Sequence, residues 1–331
     1  MDADEDDSLP DWSRTYAGYR ERFVMPFVME LAPKVQLSLH QAPCVSAEHA
    51  KEAKASSDGS TTASTVWDAG VVLAAHVFNA YGKNAGQRPR LRCLDLGAGT
   101  GIVGLACAVS GVFERVVLTD MPTVVPLLER NANSHATLTS TRGGGTVKVL
   151  PMSWEDDAML RSAMAHGPFD LLVGGDVLYR PQVVPPLLYA LRHLAGPQTT
   201  VLLAASLQHS PDTITLFASA AQGAGFCVER LSRQDIHCGE WSSPEVRVLR
   251  VTRLPASDGA SSMPEAASSM EDEPEPTEEG EGAAEGEGEA DEVEEAAAHA
   301  ISPSRRLDAS KAKSRKRRRR GEEPPSASYF Y

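Results

Sequence analysis

Three alternate glycines form the segment with the clearest chemical meaning. Residues 91–106 read Leu-Arg-Cys-Leu-Asp-Leu-Gly-Ala-Gly-Thr-Gly-Ile-Val-Gly-Leu-Ala, an apolar strand that passes through Gly97, Gly99 and Gly101 into a helix. Glycine lets the backbone turn tightly and approach a ligand with no Cβ in between, and the amides at a helix start face that ligand. The segment therefore predicts a loop that holds a small molecule through its backbone.

A second strand ends in the carboxylate that such a ligand needs. The sequence Arg-Val-Val-Leu-Thr-Asp ends at Asp120, 19 positions after Gly101. A carboxylate at that strand end, where we expect the side chain to face solvent, can accept hydrogen bonds from both hydroxyls of a ribose. The arrangement can hold NAD or S-adenosylmethionine, but dinucleotide enzymes use G-x-G-x-x-G, whereas this turn is G-x-G-x-G. The turn resembles motif I of the class I methyltransferases.

Three further segments narrow the resemblance. They are Val66-Trp67-Asp68-Ala69, Ser153-Trp154 and Gly174-Gly175-Asp176-Val177-Leu178-Tyr179, the last of which contains a D-x-x-Y motif. Together they resemble methyltransferase family 16, the methyltransferase-like 21 group, over about residues 64–254. The chain departs from the family's common pattern at Glu155, where Gly is frequent, and at Gly175, where Ala is frequent.

The resemblance implies a set of contacts with S-adenosylmethionine. In order along the cofactor, they are Trp67 at the methionine part, Gly97, Ala98 and Gly99 at the amino-acid moiety, Asp120 at the ribose, and Trp154 and Gly175 on the adenine side. No metal is expected among them.

Asp176 and Tyr179 are the predicted catalytic residues. Methyl transfer from a sulfonium is an in-line displacement, so the acceptor must be aligned and must carry a free lone pair. A lysine amine has an ordinary pKa of ~10.4, so presenting it neutral at pH 7 costs roughly 4.6 kcal/mol. A narrow channel beside a positive sulfonium lowers that pKa. We expect Asp176 and Tyr179, at the carboxyl end of the fourth strand, to orient the amine and wall the channel, although Asp176 can also be a helix N-cap.

Strands and helices alternate through the middle of the chain, as in a parallel sheet covered on both faces. Strands are predicted at 91–96, 116–119, 147–150, 169–174, 200–205, 226–231 and 246–254, with helices between them, and a first helix is capped by Ser64 or Thr65. A short strand or hairpin is expected near 23–41. The predicted fold class is α/β, a seven-stranded Rossmann-like class I methyltransferase sheet with helices on both faces and an antiparallel last strand.

Composition divides the chain into three parts: an irregular extension at 1–64, the methyltransferase domain at 65–254 and a disordered tail at 255–331. The tail holds 19 acidic and 10 basic residues, so it carries −9 of the formal charge of −13. It has hardly any branched apolar residues and cannot offset its ordering entropy by burial. An acidic run precedes a basic cluster from Lys311 to Arg320, which is typical of a nuclear import signal or a nucleic-acid-binding arm.

These observations predict an S-adenosylmethionine-dependent protein N-methyltransferase that acts on a lysine of a protein substrate. We expect a monomer in the nucleus, the cytoplasm or both, with no membrane segment and with possible partners in the import machinery through the basic cluster. Five scattered cysteines, with no C-x-x-C pair, fit a reducing compartment. The alternatives are a small-molecule methyltransferase, which a lid-like insertion would favour, and a non-catalytic scaffold whose basic tail binds nucleic acid.

Overall fold

A seven-stranded sheet is the centre of the computed structural model, which describes residues 9–14, 26–42, 62–82, 90–208 and 211–255. The strands are β1 (Phe27–Ala32), β2 (Val35–Leu39), β3 (Leu91–Leu96), β4 (Phe113–Asp120), β5 (Thr146–Pro151), β6 (Leu171–Gly175), β7 (Thr200–Ser206), β8 (Phe226–Arg230) and β9 (Val246–Arg253). The helices are α1 (Asp68–Gly82), α2 (Ile102–Val109), α3 (Val125–Ser134), α4 (Ala136–Thr141), α5 (Asp157–Met164), α6 (Val184–Leu194) and α7 (Pro211–Gly223).

The order of strands in the large sheet is β5-β4-β3-β6-β7-β9-β8. Strands β5, β4, β3, β6 and β7 pair in parallel, while β9 lies between β7 and β8 and is antiparallel to both. This order confirms the predicted fold class. Because the order reverses between β3 and β6, the carboxyl ends of these two strands flank a crevice, the place where open α/β sheets bind ligands.

Each face of the sheet carries its own apolar core, because successive strand residues point to opposite faces. In β3, Cys93 belongs to the core formed with α1 and α2, whereas Leu94 belongs to the core formed with α6 and α7. Both side chains are completely buried. Helices α1 and α2 therefore pack on one face of the sheet, and helices α6 and α7 pack on the other.

The predicted strand and helix positions agree with the structure to within a few residues, but helix α1 begins later than expected. The sequence pattern placed its cap at Ser64 or Thr65, whereas Thr62–Ser64 is a 3-10 turn and α1 begins at Asp68. The Thr65 hydroxyl donates to Gln41 Oε1 at 2.8 Å. It is thus engaged by the N-terminal segment rather than by the amides of the helix.

The predicted hairpin is formed by β1 and β2, which pair antiparallel. Met29, Leu37 and Leu39 are completely buried in the same apolar core as α1 and α2. The packed part of the chain therefore includes residues before Thr65, while the predicted domain limits at 64 and 254 remain a prediction. The predicted tail lies outside the described residues from residue 256 onward. Within the described ranges, no helix has the length and apolar character needed to cross a membrane.

Candidate active site

A cavity of about 470 Å³ lies at the carboxyl ends of the four neighbouring strands β5, β4, β3 and β6. Its volume is in the range of small-molecule and cofactor sites. All nine residues that the sequence predicted line it, namely Trp67, Gly97, Ala98, Gly99, Asp120, Trp154, Gly175, Asp176 and Tyr179. Residues up to 112 positions apart in the chain thus meet in one place.

The glycine turn connects β3 to α2 through a backbone that other residues rarely adopt. Gly97, Gly99 and Gly101 have φ values of +62°, +57° and +89°. The Ala98 amide donates to Thr119 O at 2.9 Å, and the Gly101 amide donates to Ala98 O at 2.7 Å. A Cβ on Gly99 would lie 3.2 Å from the carbonyl oxygen of Ala63. Glycine is therefore required here both by conformation and by the close approach of the segment before α1.

Asp120 is more deeply involved in the fold than the sequence indicated. We expected its side chain at a solvent-facing strand end, but the residue is only 7% exposed. Its Oδ2 accepts from the Gly99 amide and its Oδ1 from the Met121 amide, each at 2.7 Å. Burial raises the pKa of this carboxyl, and the two amide bonds oppose that shift. An ionised carboxylate offers about four acceptor sites, so two remain for ligand hydroxyls.

Asp95 is a cavity residue that sequence reasoning missed, although it belongs to the glycine-rich segment. Its Oδ2 accepts from the Gly104 amide at 2.8 Å, and its Oδ1 has no hydrogen-bond partner among the described residues. Burial raises the pKa of this completely buried carboxyl to about 8. A buried acceptor at the cavity wall, with no partner of its own, is the group that a ligand ammonium would satisfy.

Two tryptophans line the cavity together with the glycine turn. Trp67 donates its indole N–H to Thr62 O at 2.7 Å. Trp154 lies so close to the turn that a Cβ on Gly97 would be 3.2 Å from its Cζ2 atom. Near Trp154, Met121 and Met152 add apolar lining. This side of the cavity suits a flat aromatic group.

The N-terminal segment holds the residues before α1 in place. Arg14 donates through Nη1 to Val66 O at 2.9 Å, and its amide donates to Asp68 Oδ2 at 3.2 Å. Gln41 Oε1 accepts from the Val66 amide at 3.0 Å. No motif in the sequence signals these bonds, because the partners are 25 to 54 positions apart in the chain.

Asp176 follows β6 in a left-handed backbone conformation, with φ of +61°. Its amide donates to Ala204 O at 2.8 Å, and its Oδ1 accepts from the Ser206 amide at 3.1 Å. The next helical turn begins only at Pro181, with Arg180 before it, so the N-cap alternative for Asp176 is wrong. The side chain instead joins the ends of β6 and β7, and the residue is 8% exposed at the cavity wall.

Tyr179 completes the D-x-x-Y motif on the same wall. Its ring packs against the core beneath α6, and the Arg180 guanidinium lies 5.2 Å from the ring centre. The cavity thus brings together a glycine turn, an apolar slot with aromatic walls, and a buried carboxylate beside a tyrosine. Among the described residues, no group of three or more His, Cys, Asp or Glu side chains is placed to hold a metal ion.

Comparison with known proteins assigns this chain to a family. The family model described as "Lysine methyltransferase" matches residues 49–220, just over half of the chain. This chain belongs to that lysine methyltransferase family. Membership confirms the resemblance seen in the sequence, together with the enzyme class and the S-adenosylmethionine cofactor.

Two relatives show how far the similarity extends. EEF1A lysine methyltransferase 3 of Mus musculus is 34% identical over 155 residues, which is 47% of this chain and 60% of the relative. Protein N-lysine methyltransferase METTL21A of Danio rerio is 33% identical over 175 residues, 53% of this chain and 75% of the relative. Among solved structures, the CcbJ methyltransferase of Streptomyces caelestis is 15% identical, covering 58% of this chain and 92% of that one, with a TM-score of 0.41.

The cavity of this lysine methyltransferase family member fits its cofactor. The unpartnered Oδ1 of Asp95 can accept from the amino group, and the remaining lone pairs of Asp120 suit the ribose hydroxyls. The slot beside Trp154 suits the adenine ring. The observed hydrogen bonds of the cavity thus leave acceptors for the amino group and the ribose hydroxyls of S-adenosylmethionine.

The close contact at Gly175 gives a physical reason for the departure from the family's common alanine. A Cβ on Gly175 would lie 2.9 Å from Gly70 Cα and 3.0 Å from Val103 Cγ2. Helix α1 therefore approaches the end of β6 backbone to backbone. Gly175 is required by this packing as well as by its place in the cavity wall.

Proposed function

We propose that this protein transfers methyl groups from S-adenosylmethionine to a lysine side chain of a protein substrate. The observation that carries the proposal is the buried Asp176 carboxylate in the same cavity as the glycine turn. The two relatives support a protein acceptor, since both are named as lysine methyltransferases and one is named for a protein substrate, EEF1A. Their names do not fix the substrate of this chain.

The cofactor contacts follow from the lining residues. When bound, S-adenosylmethionine supplies an electrophilic methyl group on a positive sulfonium. Asp95 and the glycine turn would hold its amino-acid moiety, Asp120 would accept from its ribose, and Trp154 would pack on the adenine side. Trp67, whose indole donates to Thr62 O, would border the methionine part.

Asp176 and Tyr179 act on the acceptor. The Asp176 carboxylate attracts the lysine ammonium, and its bond from the Ser206 amide fixes its direction. The Tyr179 ring walls the channel and keeps the amine in line. Desolvation of the amine and the positive sulfonium of the bound cofactor would lower the pKa of the amine against the opposing effect of the Asp176 carboxylate. The amine would then lose its proton to solvent before its lone pair accepts the methyl group.

The direct test is labelling of a lysate depleted of this enzyme, using radioactive S-adenosylmethionine and the purified full chain. We expect a labelled protein band whose modified residue is lysine by mass spectrometry. Label only in the small-molecule fraction would support the small-molecule alternative instead. A titration with S-adenosylmethionine that shows no heat of binding would support the non-catalytic scaffold.

We propose a second role for the segment from Lys311 to Arg320, which carries eight basic residues in ten. Its charge density suits nuclear import receptors, and no aromatic residues interleave the cluster as nucleic-acid stacking would require. Residues 305–321 fused to a cytoplasmic reporter should move it to the nucleus, while the same fusion with the basic residues changed to glutamine should not. A reporter that stays in the cytoplasm in both cases would contradict import and leave the enzyme cytoplasmic.

We also propose that the enzyme acts as a monomer, since all nine predicted site residues line one cavity within a single chain. Light scattering after size exclusion should give a mass near 35.4 kDa. A mass near twice that value would contradict it.

A further inference from the structure

We propose that Asn131 is a positioning residue that links the glycine turn to the β1–β2 hairpin, so that the hairpin helps set the affinity for the cofactor. The hairpin precedes the residues matched by the family model, which begin at residue 49. The inference rests on cofactor binding at the glycine turn and is independent of the acceptor.

The amide group of Asn131 contacts both segments at once. Its Nδ2 donates to Thr100 O at 2.9 Å and to His40 O at 3.0 Å, while its Oδ1 accepts from the His40 amide at 2.8 Å. The residue is completely buried. Both of its N–H donors are therefore used, one on the glycine turn and one on the chain that leaves the hairpin.

The bond to Thr100 fixes a particular peptide group of the turn. The peptide between Thr100 and Gly101 has its C=O held by Asn131 and its N–H held by Ala98 O at 2.7 Å. Removing Asn131 would leave this buried carbonyl without its donor, and only one end of the peptide would remain held. Since this peptide closes the turn, its orientation sets the position of the backbone that faces the cofactor.

Helix α3 and its C-cap residue, His135, carry the linking residues on one side. Leu128, one turn before Asn131, packs against the glycine turn, since a Cβ on Gly101 would lie 2.9 Å from Leu128 Cδ1. His135, one turn after Asn131, accepts from the Ser38 amide through Nε2 at 3.0 Å. Residues four apart lie on the same side of a helix, so α3 contacts the turn at one end of this face and the hairpin at the other.

His135 supplies a matched control, because its described bonds reach the hairpin and the Asn131 carbonyl but not the glycine turn. We would compare Asn131→Leu with His135→Leu, each of which removes a buried polar anchor of the hairpin. Binding of S-adenosylhomocysteine would be measured by calorimetry at a temperature where circular dichroism shows both variants folded.

We expect the dissociation constant to rise about tenfold or more in Asn131→Leu and by less than twofold in His135→Leu, the size of a typical coupling between sites. At saturating cofactor, the turnover of Asn131→Leu should stay within about threefold of the wild type. Unchanged affinity in Asn131→Leu would overturn the proposal, and so would an equal rise in both variants, which would point to general loosening of the hairpin. A wild type that binds no S-adenosylhomocysteine would instead overturn the cofactor assignment.

A measurement on the wild type keeps the proposal testable if Asn131→Leu does not fold. Coupling between sites is reciprocal, so a cofactor that orders the turn must also stabilise the hairpin anchor. The His40 amide donates its hydrogen bond to Asn131 Oδ1. Hydrogen exchange of this amide should slow when S-adenosylhomocysteine saturates the protein. No change in that exchange would show that the link is absent.

Discussion

The two halves of the cavity are held in place by different means. In the cofactor half, formed by the glycine turn and Asp120, side-chain carboxylates and an amide hold the backbone of the turn. In the acceptor half, formed by residues 175–179, the strained backbone of Asp176 is held by the neighbouring strand β7. The groups proposed to contact the cofactor therefore also maintain the fold. The charge of Asp176 can be removed with less effect on packing, provided that the new side chain keeps an oxygen for the Ser206 amide.

This difference determines which substitutions can test function without also changing the stability of the fold. Asparagine adopts the left-handed conformation more readily than most residues and retains an oxygen for the Ser206 amide, so the backbone at 176 tolerates it. At Asp120, alanine removes the acceptors of two partly buried amides, those of Gly99 and Met121. A variant at Asp176 should therefore change the rate of methyl transfer without changing stability. A variant at Asp120 should change cofactor affinity and stability together.

The largest effect is expected from Asp176→Asn, which removes the negative charge while keeping the hydrogen-bonding shape. Methyl transfer should fall on the order of 10²-fold or more, as when a positioning group is lost. Affinity for S-adenosylhomocysteine and the melting temperature should be unchanged. Steady-state kinetics, calorimetry and a thermal melt check the three parts, and an unchanged rate would show that Asp176 only joins β6 to β7.

Tyr179→Phe is the control for the acceptor half. The ring that walls the channel remains, so the rate should fall much less than in Asp176→Asn. A loss as large as that of Asp176→Asn would place the tyrosine hydroxyl in the reaction itself.

Asp120→Ala should weaken cofactor binding and stability together. The ribose hydroxyls lose their acceptor, and the amides of Gly99 and Met121 lose theirs. Because these amides are only partly buried, each lost bond costs about 1 kcal/mol, the low end of the range for unsatisfied groups, so the free energy of unfolding should fall by on the order of 2 kcal/mol. Urea unfolding and calorimetry measure the two effects; full stability with lost binding would mean that the observed amide bonds contribute little to the fold.

A smaller, pH-dependent effect is expected at Asp95, whose pKa is raised to about 8 by burial. Between about pH 4 and pH 8 the folded state keeps a proton that the unfolded chain has released, so stability falls as pH rises through this window. The slope is on the order of 1 kcal/mol per pH unit. The Asp95→Asn variant should lack this contribution.

Urea unfolding of both proteins without cofactor, at pH 6 and pH 7, tests the prediction. The free energy of unfolding of the wild type should drop relative to that of Asp95→Asn between the two pH values. Parallel values for the two proteins would mean that the Asp95 carboxyl titrates with an ordinary pKa.

The smallest effect is expected from deletion of residues 256–331. The last strand ends at Arg253, and the Leu254 amide donates to Gly225 O at 2.9 Å, so the sheet is complete before the deletion begins. Activity on a peptide substrate and the melting temperature should both stay within error of the full chain. Lost activity in a stable truncated protein would show that the tail reaches one of the two halves.

The sequence predicted the sheet and the cavity well because both depend on local patterns. Each of these signals spans only a few consecutive residues, as in the apolar runs that form β3 and β7 and in the glycine spacing at 97–101. It missed the bonds of Asn131 and Arg14, because their partners lie many residues away in the chain. It also misjudged Asp120, since a carboxylate at a strand end gives no sign that the preceding glycine turn will fold back over it.

The contact between Gly70 and Gly175 limits how this enzyme can be altered. Helix and strand meet there main chain to main chain, and a Cβ at Gly70 would already lie 3.2 Å from Ile102 Cγ2. A mutation cannot deepen this wall, since there is no side chain to shorten, and enlarging either residue would push α1 away from the sheet. Attempts to redirect the enzyme to a bulkier acceptor should therefore begin at the longer side chains elsewhere around the cavity, such as Arg180 and Gln182.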